Sequence, residues 1–388
     1  MGAERFESVA TSFFGPGAIG LLPAEMRKQG AKRVLIVTDK YLHESGLADQ
    51  IGKILLKAGL EYAIYYLVQP NPTVEVVEDC ITAARSLAVN WLVAVGGGSA
   101  IDTAKAAAIV ITNGGRVNDY EGVNKSRIPG LPVAAVNTTA GTGSEVTTFY
   151  IVTDAGKHSK MCMVDVNCKV RIAVNDIQFM MNMPKSLTAA TGMDAMTHAV
   201  EAALSKRATP FTDKDAYWAV AVIKDYLPRA AADPEDEKAR EMMAYAQYAA
   251  GMAFSNGGLG MVHAMAHSLG GFYNLPHGVC NAILLPFVME FNGRSGKLPV
   301  QFGKVAAALG AGRVQELNEK ETVNESVSLI RQLSARVGIV ENLRELKVNQ
   351  DDFPALAELA LKDACMADNR ITPSLDQVIE VYQKAYEG

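Results

Sequence analysis

The sequence has no C-x-x-C pair, and its five cysteines (Cys80, Cys162, Cys168, Cys280 and Cys365) are odd in number. That argues against a disulfide framework and fits thiols kept reduced in the cytosol, so a cytoplasmic location is expected. No apolar run reaches the length of a membrane span. The opening stretch "MGAERFESVATSFFGPGAIG" has no apolar core of signal-peptide length. Basic residues are not in excess either: 37 Lys and Arg stand against 42 Asp and Glu, a net charge of −5. Neither nucleic acid nor a membrane surface is therefore an electrostatic partner. Histidine is scarce, with six in the chain, yet three fall within fifteen residues of "GMVHAMAHSLGGFYNLPHG". Their neighbours are apolar, which is an unusual place for three titratable rings.

What is present is an ordinary globular composition, 49% hydrophobic and 20% charged, in 388 residues. That length favours two domains. The first half alternates buried-strand runs with helical patterns. "RVLIVTD" (33–39), "EYAIYYLV" (61–68), "WLVAVGGGS" (91–99) and "LPVAAVNTT" (131–139) are strands, with helices between them. Strand–helix alternation of this kind predicts a parallel, doubly wound α/β sheet. "TTFYIVTD" and "CKVRIAVND" are read as extra strands at its edge. After Pro184 helical periodicity dominates, in 186–205, 212–231, 236–256, 259–272 and 278–291 and onward. The expected division is an α/β dinucleotide-binding domain over 1–183 and an all-helical domain over 184–388. Asp233 is expected to cap the helix that follows, with Pro234 in its first turn. His43 and His158, in polar surroundings, are expected at the surface.

Two turns carry nucleotide-type chemistry. "AVGGGSAIDTAKA" places three glycines and a serine between a strand and a helix, where backbone N–H groups and the positive dipole end can receive a phosphate. It is not the G-x-G-x-x-G fingerprint, and a plain tight turn is the competing reading. Asp39 closes the first strand, where it either accepts hydrogen bonds from an adenosine ribose, favouring NAD over NADP, or caps the next helix. "NTTAGTGSE" is a second Gly/Thr-rich turn after a strand. In the other half, Asp194 and His198 are spaced i, i+4, as are His263 and His267, so each pair shares one helix face. His277 follows a Gly/Pro-marked loop. Two such pairs and a further imidazole could converge on one divalent ion such as Fe²⁺ or Zn²⁺. Spacing leaves open which of the imidazoles are ligands.

Taken in order, the motifs "FFGPGA", "LIVTDK", "PNPT", "GGGSAIDTAKA", "DYEG", "NTTAGTGSE", "LTAATGMDAMTHAVEA" and "MAFSNGGLGMVHAMAHSLGGFYNLPHGVCNAILLP" resemble the iron-containing, group III alcohol dehydrogenases. The late "ALKDAC" belongs to the same set. The resemblance implies a Rossmann-like domain and a helical domain, with the architecture of dehydroquinate synthase and the active site between them. It implies metal ligands Asp194, His198, His263 and His277, with iron(II) favoured and Zn²⁺, Mn²⁺ or Co²⁺ as other occupants. His267 becomes a proton-relay residue. NAD contacts are implied at Asp39, Asn71, Gly97, Gly98, Ser99, Asp102, Thr138, Thr139, Thr142, Thr147 and Lys160. Phe149, Cys162 and Phe254 are candidate pocket walls, with ordinary core packing as the competing reading. The implied activity is reversible hydride transfer between a small alcohol or diol and NAD, by a homodimer or a multiple of dimers. The chain departs from many members at Phe287, where they carry histidine, and at Phe149, where lactaldehyde reductase-like members have a polar residue. Two alternatives are a dehydroquinate synthase-like lyase and a catalytically silent NAD- and metal-binding protein. The lyase would need several cationic side chains beside the histidines, and "HAMAHSLGGFYNLPHG" has none.

Overall fold

The computed structural model describes residues 5–157 and 159–388, so His158 lies outside the described residues. The chain forms two compact units. One comprises Glu7–Thr139 and Gly143–Met181; the other comprises Asn182–Gly388 with Ala140–Thr142 and residues 5–6.

The first unit is built on strands β1 (Thr11–Phe14), β2 (Arg33–Asp39), β3 (Glu61–Val68), β4 (Trp91–Gly96), β5 (Gly122–Val123), β6 (Val133–Asn137), β7 (Phe149–Asp154), β8 (Ser159–Val164) and β9 (Ile172–Asn175). Its helices are α1 (Leu22–Lys28), α2 (Lys40–Glu44), α3 (Leu47–Lys57), α4 (Val74–Ser86) and α5 (Gly98–Asn113). Six strands form the main sheet in the order β1-β9-β6-β4-β2-β3, with every neighbouring pair parallel. β4 and β6 are buried at every residue, as expected of strands covered on both faces. Ile36, Val93, Val95, Ala134 and Val174 meet in its core.

Two of the expected edge strands sit elsewhere. β9 is interior, between β1 and β6, because the N-terminal β1 pairs outside it. β7 belongs to a separate three-stranded sheet, paired antiparallel to β8 with Phe149 opposite Val164. Hairpin pairing with β8 satisfies its backbone without the main sheet.

The second unit is helical: α6 (Lys185–Leu204), α7 (Pro210–Ala232), α8 (Glu237–Gly257), α9 (Met261–Tyr273), α10 (His277–Gly293), α11 (Pro299–Ala308), α12 (Glu319–Val337), α13 (Phe353–Lys362) and α14 (Leu375–Glu387). α6 packs against α7, α8 and α10, and its side chains from Gly192 to Leu204 are all buried. A helix buried all round shows no amphipathic stripe, so its few polar groups must find partners inside the protein. The cap of α8 differs from expectation. Asp236, not Asp233, accepts from the Ala239 N–H, while Asp233 terminates α7 and accepts from the Glu235 N–H. Both aspartates suit a cap, and the turn between the helices places Asp236 at the boundary.

No disulfide joins the five cysteines, all of them buried. Among the described residues no helix is long and apolar enough to cross a membrane.

Candidate metal centre and nucleotide site

Asp194 and His198 lie one turn apart on α6, His263 and His267 one turn apart on α9, and His277 is the first residue of α10. Asp194 Oδ1 is the focus. His198 Nε2 lies 3.7 Å from it, His263 Nε2 3.6 Å and His277 Nε2 3.5 Å. A tetrahedral site with bonds of about 2.1 Å separates its donors by about 3.4 Å, so this spacing suits one small cation. The donor atoms of Asp194, His263 and His277 all lie within 4.8 Å of one another; His198, although 3.7 Å from Asp194 Oδ1, lies outside that mutually close group. The fourth imidazole is turned elsewhere: His267 Nδ1 is 2.8 Å from Asp363 Oδ2, and its ring stacks on His277 at 5.3 Å.

Electrostatics follows from this crowding. Burial would raise the Asp194 pKa, but His198, His277 and His263 outweigh it and hold the carboxyl well below its usual range. Burial drives His198 down to about 3, leaving a neutral ring with a lone pair to offer. Burial also opposes charge on His263, yet Asp194 and Glu201 outweigh it and lift the ring to about 9. A cation at this point would take the place of the Nε2 proton, while Nδ1–H stays with Glu201.

In the sheet unit Asp39, Gly97, Gly98, Ser99, Thr138 and Thr139 lie at or just beyond the ends of three adjacent parallel strands, β2, β4 and β6, whereas Asn71 follows β3, Asp102 lies in α5, Thr147 precedes β7 and Lys160 is on β8. Gly96 adopts φ +150°, which favours glycine, and Gly97 is the N-cap of α5 with no side-chain hydrogen bond. The first-turn N–H groups around Gly98 and Ser99 therefore have no side-chain cap. A Cβ at Gly97 would lie 2.8 Å from the Thr139 side chain, so a larger residue would have to displace Thr139. Thr138 N donates to the Gly96 carbonyl at 3.1 Å, and Thr139 N to Asn137 Oδ1 at 3.1 Å. Asp39, at the end of β2, caps α2 by accepting from Leu42 N at 2.8 Å. Asn71, at φ +54°, accepts from Lys160 Nζ at 2.8 Å. Asp102 accepts from Ser144 Oγ at 2.5 Å and Ile151 N at 3.1 Å. Thr142 groups with the helical unit.

An iron-containing alcohol dehydrogenase family model matches residues 10–177, and the model for the C-terminal part of the Fe-containing alcohol dehydrogenase family matches residues 188–386. The chain belongs to the iron-containing alcohol dehydrogenase family. It is 43% identical to alcohol dehydrogenase 4 of Schizosaccharomyces pombe, over 99% of this chain and 90% of that one. It is 40% identical to the NAD-dependent methanol dehydrogenase of Bacillus methanolicus, over 96% and 97%. A crystal structure of 1,3-propanediol oxidoreductase superposes with a TM-score of 0.95 at 39% identity, covering 99% of this chain and 100% of that one. The chain is thus an oxidoreductase, with the Rossmann-like plus helical architecture of its relatives.

Sequence reasoning about this alcohol dehydrogenase missed four residues that the structure places beside the candidates. Glu201 is buried one turn beyond His198; its Oε2 lies 2.5 Å from His263 Nδ1, and its Oε1 accepts from Val262 N at 2.7 Å. The lone acid in "HAVEAAL", seven residues after Asp194, was a readable signal. Asn281, four residues after His277, donates from Nδ2 to Asp194 Oδ1 at 2.7 Å. Asp363 holds His267; burial would raise the Asp363 pKa, but His267 and the hydrogen bonds from Cys365 together outweigh it and keep the carboxyl below its usual range. Lys105, fully buried on α5, donates to the carbonyls of Ser144, Thr147 and Phe149 at 2.5, 2.9 and 2.8 Å. It ties the helix carrying Gly98 and Ser99 to the segment carrying Thr147. Of the pocket-wall candidates, Phe254 stacks on His198 at 4.3 Å, and Phe149 and Cys162 are buried on β7 and β8.

Proposed function

We propose that this alcohol dehydrogenase interconverts a small primary alcohol or diol and its aldehyde, using NAD(H) and one divalent ion. The observation that carries the reading is the set of three imidazole Nε2 atoms 3.5–3.7 Å from one buried carboxylate oxygen. Asp194, His198, His263 and His277 would hold the ion. One oxygen and three nitrogens accept Fe²⁺, Zn²⁺, Mn²⁺ or Co²⁺, and Fe²⁺ is the proposed occupant. When bound, the ion supplies Lewis acidity toward the substrate oxygen, and the nicotinamide supplies or accepts the hydride.

The chain's own work is binding, orientation and proton handling. Gly97, Gly98 and Ser99 would receive the diphosphate on uncapped N–H groups, and Thr138, Thr139, Thr142 and Thr147 would flank the nucleotide. Asn71, Asp102 and Lys160 are proposed to support the same site through the hydrogen bonds described above. His267 is the proposed proton carrier. Its Nδ1 is held on Asp363, which leaves Nε2 to take up and return a proton. Phe254, stacked on His198, is proposed as an apolar wall that keeps water from the metal ligands, and Phe149 and Cys162 as buried apolar walls within the sheet unit. The buried thiols fit a reducing cytoplasm, and the family likeness supports a homo-oligomer of dimers or their multiples.

Turnover tests the reading. With enzyme loaded anaerobically with Fe²⁺, a panel of short aldehydes, hydroxyaldehydes and formaldehyde should oxidise NADH, and a chelator should stop it. The reading fails if the protein binds both Fe²⁺ and NADH yet turns over no member of the panel.

Asp39 carries a separate prediction. It caps α2, and replacing an aspartate cap by glycine costs only a few tenths of a kcal/mol. If its carboxylate also repels a 2′-phosphate, Asp39→Gly should raise the NADPH-to-NADH ratio of kcat/KM by roughly tenfold, about 1.4 kcal/mol, with almost no change in Tm. An unchanged ratio would leave Asp39 as a helix cap alone.

A further inference from the structure

Asn281 is fully buried, yet the family reading gives it no task. It lies one turn after His277 on α10, so both side chains leave the same helix face. The helix is seated tightly. A Cβ on Gly278 would come within 2.2 Å of the Ala190 carbonyl oxygen on α6, so α10 approaches α6 at a distance that only glycine permits. This contact sets the height of His277 and Asn281 against Asp194.

The Asn281 amide nitrogen donates to Asp194 Oδ1 at 2.7 Å and lies 3.1 Å from both His263 Nε2 and His277 Nε2, ring atoms whose donor or acceptor role depends on the tautomer. Its amide oxygen is buried and finds no donor among the described residues. Turning the amide over would press that oxygen against the carboxylate, so the surroundings fix the orientation. Once the ring lone pairs serve a cation they accept no hydrogen bond, and Asp194 is then the remaining acceptor for the amide. A hydrogen bond to a carboxylate is also the strongest the amide can make here.

We propose that Asn281 is a positioning residue of the metal centre: its Nδ2–H grips Asp194 Oδ1 and stops the carboxylate rotating, so that one oxygen faces the three Nε2 atoms. This rests on the metal reading above, and the test separates the two. Apparent Kd values for Zn²⁺ are measured by chelator competition, and visible spectra are recorded for the Co²⁺-loaded protein, in the wild type, Asn281→Ala and Asn281→Leu. Leucine keeps most of the volume while removing the amide, and it decides the matter if the alanine variant fails to fold. The wild type should bind one Zn²⁺. Both variants should bind roughly 10–100-fold more weakly, as for other outer partners of metal ligands. Their Co²⁺ bands should weaken as the freed carboxylate chelates through both oxygens. Wild-type protein that binds no Zn²⁺ or Co²⁺ would overturn the metal reading and this inference together. Tight wild-type binding matched by Asn281→Leu in both Kd and spectrum would overturn the inference alone.

Discussion

Replacing His277 with alanine is expected to strip the ion from the enzyme and lower turnover at least about 10³-fold, a loss of roughly 4 kcal/mol. His277 is the ligand candidate best suited to this test. Its side chain is 25% exposed, whereas that of His263 is 1% exposed. Truncating it therefore leaves little cavity, and it sits at the first position of α10, where no helical hydrogen bond depends on the side chain. Losing one of four ligands should exceed the 10–100-fold penalty of losing an outer partner. The measurement is metal content after dialysis, with kcat/KM at saturating NADH and thermal unfolding of the metal-free protein. Unfolding should shift by no more than a few degrees. A metal-free His277→Ala enzyme with normal turnover would refute the Lewis-acid role.

Glu201→Ala should produce the second large effect, through a residue that touches no substrate. Glu201 holds two donors at once, His263 Nδ1–H and the Val262 N–H in the first turn of α9. Removing it leaves both buried without their acceptor, at a cost of about 1–3 kcal/mol for such a group. It also frees the His263 ring to rotate or change tautomer, so ion affinity should fall about 10–100-fold. Glu201→Gln keeps an acceptor for one donor and should lie between wild type and alanine. Chelator titration gives the affinity, and unfolding of the metal-free proteins gives the stability. Wild-type affinity in Glu201→Ala would mean that His263 needs no help in facing the ion.

These two residues illustrate what could be read in the chain. The parallel sheet was legible because β4 and β6 are short, almost wholly apolar runs set between helical patterns, as expected of strands covered on both faces. Turn chemistry located the glycine cradle at Gly96–Ser99. The place of β9 was not legible, since a short apolar strand carries no mark of which neighbours it will find. β7 looks the same in sequence whether it pairs with β8 or with the main sheet. Helical spacing grouped Asp194 with His198 and could have added Glu201, the single acid further along that face. It could not separate His267 from the other imidazoles. That separation comes from Asp363, 96 residues away in the chain, and only tertiary packing brings the two together. Lys105 was hidden for a similar reason, because its three carbonyl partners lie 39 to 44 residues away in the chain and only tertiary packing brings them to it.

Anomalous diffraction from crystals of the Fe²⁺-loaded enzyme, recorded above and below the iron edge, tests the central claim most directly. The expected result is one peak about 2.0–2.2 Å from an Asp194 oxygen and from Nε2 of His198, His263 and His277. Iron bound at full stoichiometry with its peak elsewhere, or with any of those four side chains turned away from it, would contradict the account.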